Sequence, residues 1–242
     1  MNSDVMKITK DENNLEYIEI DNDLAEAKIA LQGGHVVWWR PKSTRHDVLW
    51  LSSNARYQKG RSIRGGVPIC WPWFGQHPTD GSFCNHGFAR VIPWKLKSGI
   101  KMRNGAVKIV LKMLPTDAAT KQLTYNYDLE LTIIVGHTIY LNLKTTNLSN
   151  NPFTIGEGYH TYFYISDIEN IKITGLENAV YTDKFDNFNR NIEKSAITFD
   201  EAFDRVYSNT SNDCYIEDEK FNRVITIKTV SYTHLRAHET LL

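Results

Sequence analysis

"YDLELTIIVGHTIYLNLKTTN", residues 127 to 147, decides the fold. Apolar residues recur at every second position, at Leu129, Leu131, Ile133 and Val135 on one side of Gly136-His137 and at Ile139, Leu141 and Leu143 on the other. Successive side chains of a strand point to opposite faces, so this spacing predicts two strands with one apolar face each. The Gly136-His137 pair predicts the turn between them. The same alternation runs through "LEYIEI", "AEAKIAL", "HVVWWR", "DVLWL", "VKIVLKML", "IKITGL" and "RVITIKT". Further turn chemistry stands at Asn104-Gly105 and at Asn150-Asn151-Pro152, and few stretches have helical periodicity. The expectation is an all-β, antiparallel β-sandwich. With no linker, composition shift or repeat in sight, it is read as a single domain.

The chain has ample apolar material for such a core, 41% hydrophobic and 12% aromatic residues in 242. Twenty-eight Lys and Arg balance 28 Asp and Glu, which gives no basic excess for nucleic acid or an anionic membrane. The expected partner is a small molecule. Cys70, Cys84 and Cys214 are odd in number and show no CxxC spacing, and the start "MNSDVMKITKDENN" lacks the apolar core of a signal peptide. No apolar run approaches the roughly 20 residues that cross a bilayer. A soluble cytoplasmic protein is expected.

Two stretches break the strand pattern in ways that suggest chemistry. The first is "QKGRSIRGGVPICWPWFGQHPTDGSFCNHGFARVIPW", residues 58 to 94, an irregular loop of functional length. "GRSIR" fails as a GxSxG nucleophile elbow. Cys70, His77, Cys84 and His86 match no standard zinc spacing, and "IRGGVP" runs into proline where a phosphate loop needs its lysine and helix. A basic and aromatic surface remains. Trp71, Trp73 and Phe74 are expected as flat walls on which a pyranose can stack, with Arg64, Arg90 and His86 as directional donors suited to hydroxyls or a phosphate. The second stretch is "GEGYHTYF", residues 156 to 163, where a lone histidine sits among tyrosines. Alternation puts Gly158, His160 and Tyr162 on one face and Glu157, Tyr159 and Thr161 on the other, so Glu157 points away from His160.

Taken together, "IRGGVPICWPWFG", "NHGFARVIPW", "GYHTYF", "ITGLENAVYTDK" and "FDEAFDRVY" resemble successive motifs of the glucose-6-phosphate 1-epimerase (hexose-6-phosphate mutarotase) branch of the aldose 1-epimerase family, from about residue 15 to 228. The resemblance implies a galactose-mutarotase-like β-sandwich (supersandwich) that interconverts the α and β anomers of a hexose 6-phosphate, with no metal and no cofactor. It implies His160 as the acid that protonates the ring oxygen, Arg64 and Arg90 as substrate and phosphate binders, His86 as a pocket histidine and Asp204 as an acceptor for sugar hydroxyls. Asn85 stands where the family commonly has glutamine. A monomer is expected. Rival readings are a mutarotase for unphosphorylated aldoses and a non-catalytic sugar-phosphate-binding protein.

The resemblance also implies a catalytic base, a glutamate in a C-terminal motif like "CVEPG", and no such motif is present. The chain ends instead in "VSYTHLRAHETLL", which reads as the translation of a transposon-type sequencing-library adapter. A truncated domain over 1–228 with a read-through tail over 229–242 is therefore expected. The fold would be incomplete at the C-terminus, the chain inactive as it stands, and 230–242 badly packed or outside the sheets. Glu201 and Asp204 are the nearest substitutes for the base, and Glu239 is the only glutamate in the tail.

Overall fold

In a computed structural model of the chain, which describes residues 4–199, 202–208, 210, 212–229 and the backbone of 233–237, the strands are antiparallel and form two compact units, Met1–Tyr164 and Ile165–Leu242. The strands of the first unit are β1 (Met6–Lys10), β2 (Glu16–Asp21), β3 (Ala25–Ala30), β4 (His35–Pro41), β5 (Ile69–Cys70), β6 (Trp94–Lys101), β7 (Val107–Met113), β8 (Tyr127–Val135), β9 (Ile139–Asn147) and β10 (Gly158–Tyr159). They make four-stranded sheets in the orders β1-β2-β3-β4 and β6-β7-β8-β9, plus the short pair β10-β5.

The alternation of 127–147 becomes a β8–β9 hairpin in which Val135 faces Ile139 and Leu131 faces Leu143. On β7 and β8, the residues Val107, Ile109, Leu111, Leu129, Leu131, Ile133 and Val135 are all buried, so one face of the sheet is core. Asn104-Gly105 turns β6 into β7, with Gly105 at φ +85° and the Asn104 side chain accepting from Ala106 N (3.2 Å). Between β7 and β8 a short helix, α1 (Asp117–Gln122), is started by Thr116, whose hydroxyl accepts from Ala119 N. The strand reading did not include it, because six residues carry no measurable helical period. No helix among the described residues is long and apolar enough to cross a membrane.

One buried polar side chain of the first unit has a thermodynamic consequence. His35, 1% exposed, sets its Nε2 2.7 Å from Gly65 O; the carbonyl can only accept, so Nε2 carries the proton. Burial pushes the imidazole from 6.5 down to about 4; the Gly65 bond opposes this and the charge of Arg90 adds to it. Between these values the unfolded chain binds the proton and the folded one does not, so stability is full above pH 6.5 and is withdrawn as pH falls towards 4. The loss expected over that window is about 3 kcal/mol. In urea unfolding at stepped pH, His35→Gln should flatten this part of the curve; a slope identical to wild type would remove His35 as its cause.

The second unit holds β11 (Ile171–Thr174), β12 (Val180–Asp183), β13 (Arg190–Ile192), β14 (Phe203–Ser208), β15 (Cys214–Asp218), β16 (Arg223–Ile227) and β17 (Thr233–Ala237), in sheets β11-β15-β16 and β13-β12-β14-β17. The tail expected to stand apart contributes β17, paired with Phe203–Tyr207 at the sheet edge. An open edge offers backbone N–H and C=O groups to any extended segment, whatever its side chains. Residues 230–232 and 238–242 of the tail, Glu239 among them, lie outside the described residues, as does Glu201.

Candidate functional site

Motifs ninety residues apart in sequence become hydrogen-bonded neighbours in the first unit. β5 and β10 pair through Ile69↔Tyr159 and Cys70↔Gly158. The ladder continues on both sides, with His160 N donating to Pro68 O (2.9 Å), Tyr162 N to Gly66 O (2.8 Å) and Gly156 N to Pro72 O (2.8 Å). Pro68 has no N–H, so it can serve this ladder only as an acceptor. A third segment lies alongside, since Trp71 N donates to His86 O (3.2 Å) and Ala89 N to Trp71 O (3.2 Å). "IRGGVPICW", "NHGFAR" and "GYHTYF" thereby form one small platform.

On that platform the His86 and His160 rings stand perpendicular, 5.4 Å between centroids. His160 stacks on Tyr162 at 4.8 Å, as their i, i+2 spacing predicts, and more loosely over Phe74 at 6.4 Å. Glu157 and Tyr159 go the other way, as alternation requires, to a hydrogen bond with Thr145 and one with the Leu143 backbone. Burial raises the Glu157 carboxyl above its ordinary range, with the Thr145 bond opposing. His86 has φ +64° and is fixed from both ends: its N donates to Gly75 O (2.6 Å) and its Nδ1 accepts from Gly75 N (3.1 Å). A neutral His86 therefore carries its proton on Nε2.

The walls differ from the sequence expectation. Trp71 is fully buried; its indole N–H donates to Thr145 Oγ1 (3.0 Å) and its ring packs on Phe88 and Tyr127. Trp73 is also buried, donates to Cys84 O (3.0 Å) and is boxed by His77, Phe83 and Phe88. Indole is worth more as core than as surface once its N–H has a partner, which leaves Phe74, 38% exposed, as the ring offered beside the two histidines.

The arginines also divide. Arg64 is exposed; its carbonyl accepts from Ser52 N (3.0 Å), and its guanidinium makes no hydrogen bond or ion pair among the described residues. Arg90 is half-buried and gives one amino group to Asn85 O (2.6 Å), bracing the turn that carries His86, while its Nε is buried without a partner among the described residues. Asn85 itself is exposed. Among the described residues, no group of three or more His, Cys, Asp and Glu could hold a metal ion.

Asp204 belongs to the second unit, where it is buried on β14 and its N–H donates to Asp183 Oδ1 (3.3 Å). Asp183 also takes Arg205 Nε (3.1 Å) and Phe185 N (2.9 Å). Burial would raise its carboxyl, but these bonds hold it below the ordinary range. Glu193 takes Arg205 Nη1 (3.1 Å) and the Tyr207 hydroxyl (2.7 Å), and the Arg205 guanidinium lies over Tyr181 and Phe203. Sequence reasoning missed this cluster. The available signal was the alternation in "FDRVY", which sets Arg205 and Tyr207 opposite to Asp204.

Residues 16–234 match a family model described as aldose 1-epimerase. An Escherichia coli (strain K12) protein named "Putative glucose-6-phosphate 1-epimerase" is 36% identical over 214 residues, 88% of this chain and 70% of that protein. The crystal structure of "a putative mutarotase (YeaD)" from Salmonella typhimurium superposes with a TM-score of 0.86 at 32% identity, covering 94% of this chain and 75% of that one. A galactose mutarotase related enzyme from Lactobacillus acidophilus, 16% identical with 93% and 81% covered, shares the fold at a TM-score of 0.73.

Proposed function

The chain belongs to the aldose 1-epimerase family and is an isomerase acting on carbohydrates, and on that premise we propose that its substrate is a hexose 6-phosphate, glucose 6-phosphate first among them, opened by proton donation from His160. The carrying observation is the perpendicular His86–His160 pair next to the exposed ring of Phe74, with Arg64, whose guanidinium is unpaired among the described residues, two positions before Gly66 of the same ladder. A fixed aromatic face suits the C–H side of a pyranose, and a free guanidinium suits a phosphate dianion better than a neutral hydroxyl. The naming of the E. coli relative points the same way.

Anomer interconversion needs a proton delivered to the ring oxygen and another taken from the anomeric hydroxyl. Rotation about C1–C2 and reclosure then invert the centre. An imidazole can give the first proton and recover it on the return. His86, whose Nδ1 accepts from Gly75 N so that the neutral ring carries its proton on Nε2, is assigned to a sugar hydroxyl, and Arg64 to the phosphate. Arg90 and Asn85 are assigned as the turn that presents His86.

Arg64→Ala tests the substrate. By titration calorimetry, affinity for glucose 6-phosphate should fall about 10- to 100-fold while affinity for glucose stays unchanged, because a charge-assisted fork is lost only where there is an anion. An equal loss for both sugars would move the assignment to unphosphorylated aldoses.

A further inference from the structure

The turn Leu31-Gln32-Gly33-Gly34 joins β3 to β4, and Gln32 within it and His35 directly after it are buried, at 8% and 1% exposure. Gln32 donates its amide to Gln58 O (2.9 Å) and Arg61 O (2.6 Å), and its Oε1 accepts from Gly60 N (2.8 Å). His35 Nε2 donates to Gly65 O (2.7 Å). Four hydrogen bonds from Gln32 and His35 thus hold the backbone of 58–65, the stretch that carries Arg64. The same turn abuts the second arginine, since a Cβ on Gly33 (φ +79°) would come within 2.6 Å of Arg90 O. On Gly66 (φ +63°) a Cβ would come within 2.8 Å of His35 Nε2, which explains why the loop carries glycine there.

The loop needs such a hold. Arg56, Lys59, Arg61 and Arg64 are exposed along it with no acidic residue between them, and none is ion-paired among the described residues. Like charges this close repel, and a loop left free would have to be ordered at every binding event. We infer that Gln32 and His35 are positioning residues for substrate recognition: they hold the 58–65 loop from beneath, so that Arg64 is preorganised for the anionic end of the sugar. His35 suits this because burial keeps it neutral, with its single proton committed to Gly65. The inference rests on the phosphate-sugar reading above and adds residues that contact no substrate.

The test uses the full chain, with glucose 6-phosphate and glucose as titrants and amide hydrogen exchange as a second readout. Gln32→Leu and His35→Leu should each weaken glucose 6-phosphate binding about tenfold and glucose binding less than about twofold. Exchange should quicken over 58–66 while β7 and β8 keep their protection. His35→Gln, which keeps a donor for Gly65 O, should match wild type in sugar affinity and in exchange over 58–66. Unchanged exchange over 58–66 in both leucine variants overturns the inference, as does equal weakening for the two sugars or a His35→Gln variant as impaired as His35→Leu. Wild-type protein that binds neither sugar overturns the phosphate-sugar reading instead, and the exchange comparison still decides whether the turn holds the loop.

Discussion

His160→Asn should lower the rate of α/β interconversion of glucose 6-phosphate at least about 100-fold, the low end for removing a positioned general acid. Asparagine keeps the approximate size and the backbone bond from residue 160 to Pro68 O, so the platform survives while the titrating group goes. The rate is read by NMR exchange between the two anomeric protons. The protein used carries the C-terminal region of a relative such as the E. coli protein, and its form with His160 intact is the reference. His86→Gln is the companion variant: an amide can still donate to a hydroxyl, so it should cost much less than His160→Asn. If His160→Asn retains the parent rate, the histidine is a stacked core residue and the acid lies elsewhere.

The largest expected effect on stability comes from Gly87→Ala. Gly87 has φ +72°, and a Cβ there would overlap the carbonyl of Trp71 and lie 2.7 Å from Pro72 N. The atoms in the way are backbone belonging to the ladder that joins "ICW" to "HGFA", so no side chain can swing aside. Left-handed strain and overpacking together should cost about 3 kcal/mol. Gly75→Ala is the control. It has φ +75° and nothing within 4 Å of its would-be Cβ, so it carries the conformational strain alone. Denaturant midpoints at constant slope give both values. If Gly87→Ala costs no more than Gly75→Ala, close backbone approach does not explain this glycine.

The sequence by itself determined the strands, because a period of two fixes which residues of β7, β8 and β9 can share a core face, and because Asn104-Gly105 and Gly136-His137 supply turns that do not depend on distant contacts. It determined as well that His160 and Tyr162 share a face and that Glu157 does not, since alternation is local. Only the tertiary structure decided the roles inside the irregular loop. Trp71 and Trp73, read as surface walls, became core once Thr145 and Cys84 satisfied their indoles. Arg64 and Arg90, alike in sequence, separated into a fork with no side-chain partner among the described residues and a brace on Asn85 O. Gln32 and His35 gave no signal at all, because their partners are backbone carbonyls and amides 26 to 30 residues away, and backbone groups are the same at every position. A local code fixes strands and faces; which polar groups meet across the chain depends on how those strands pack.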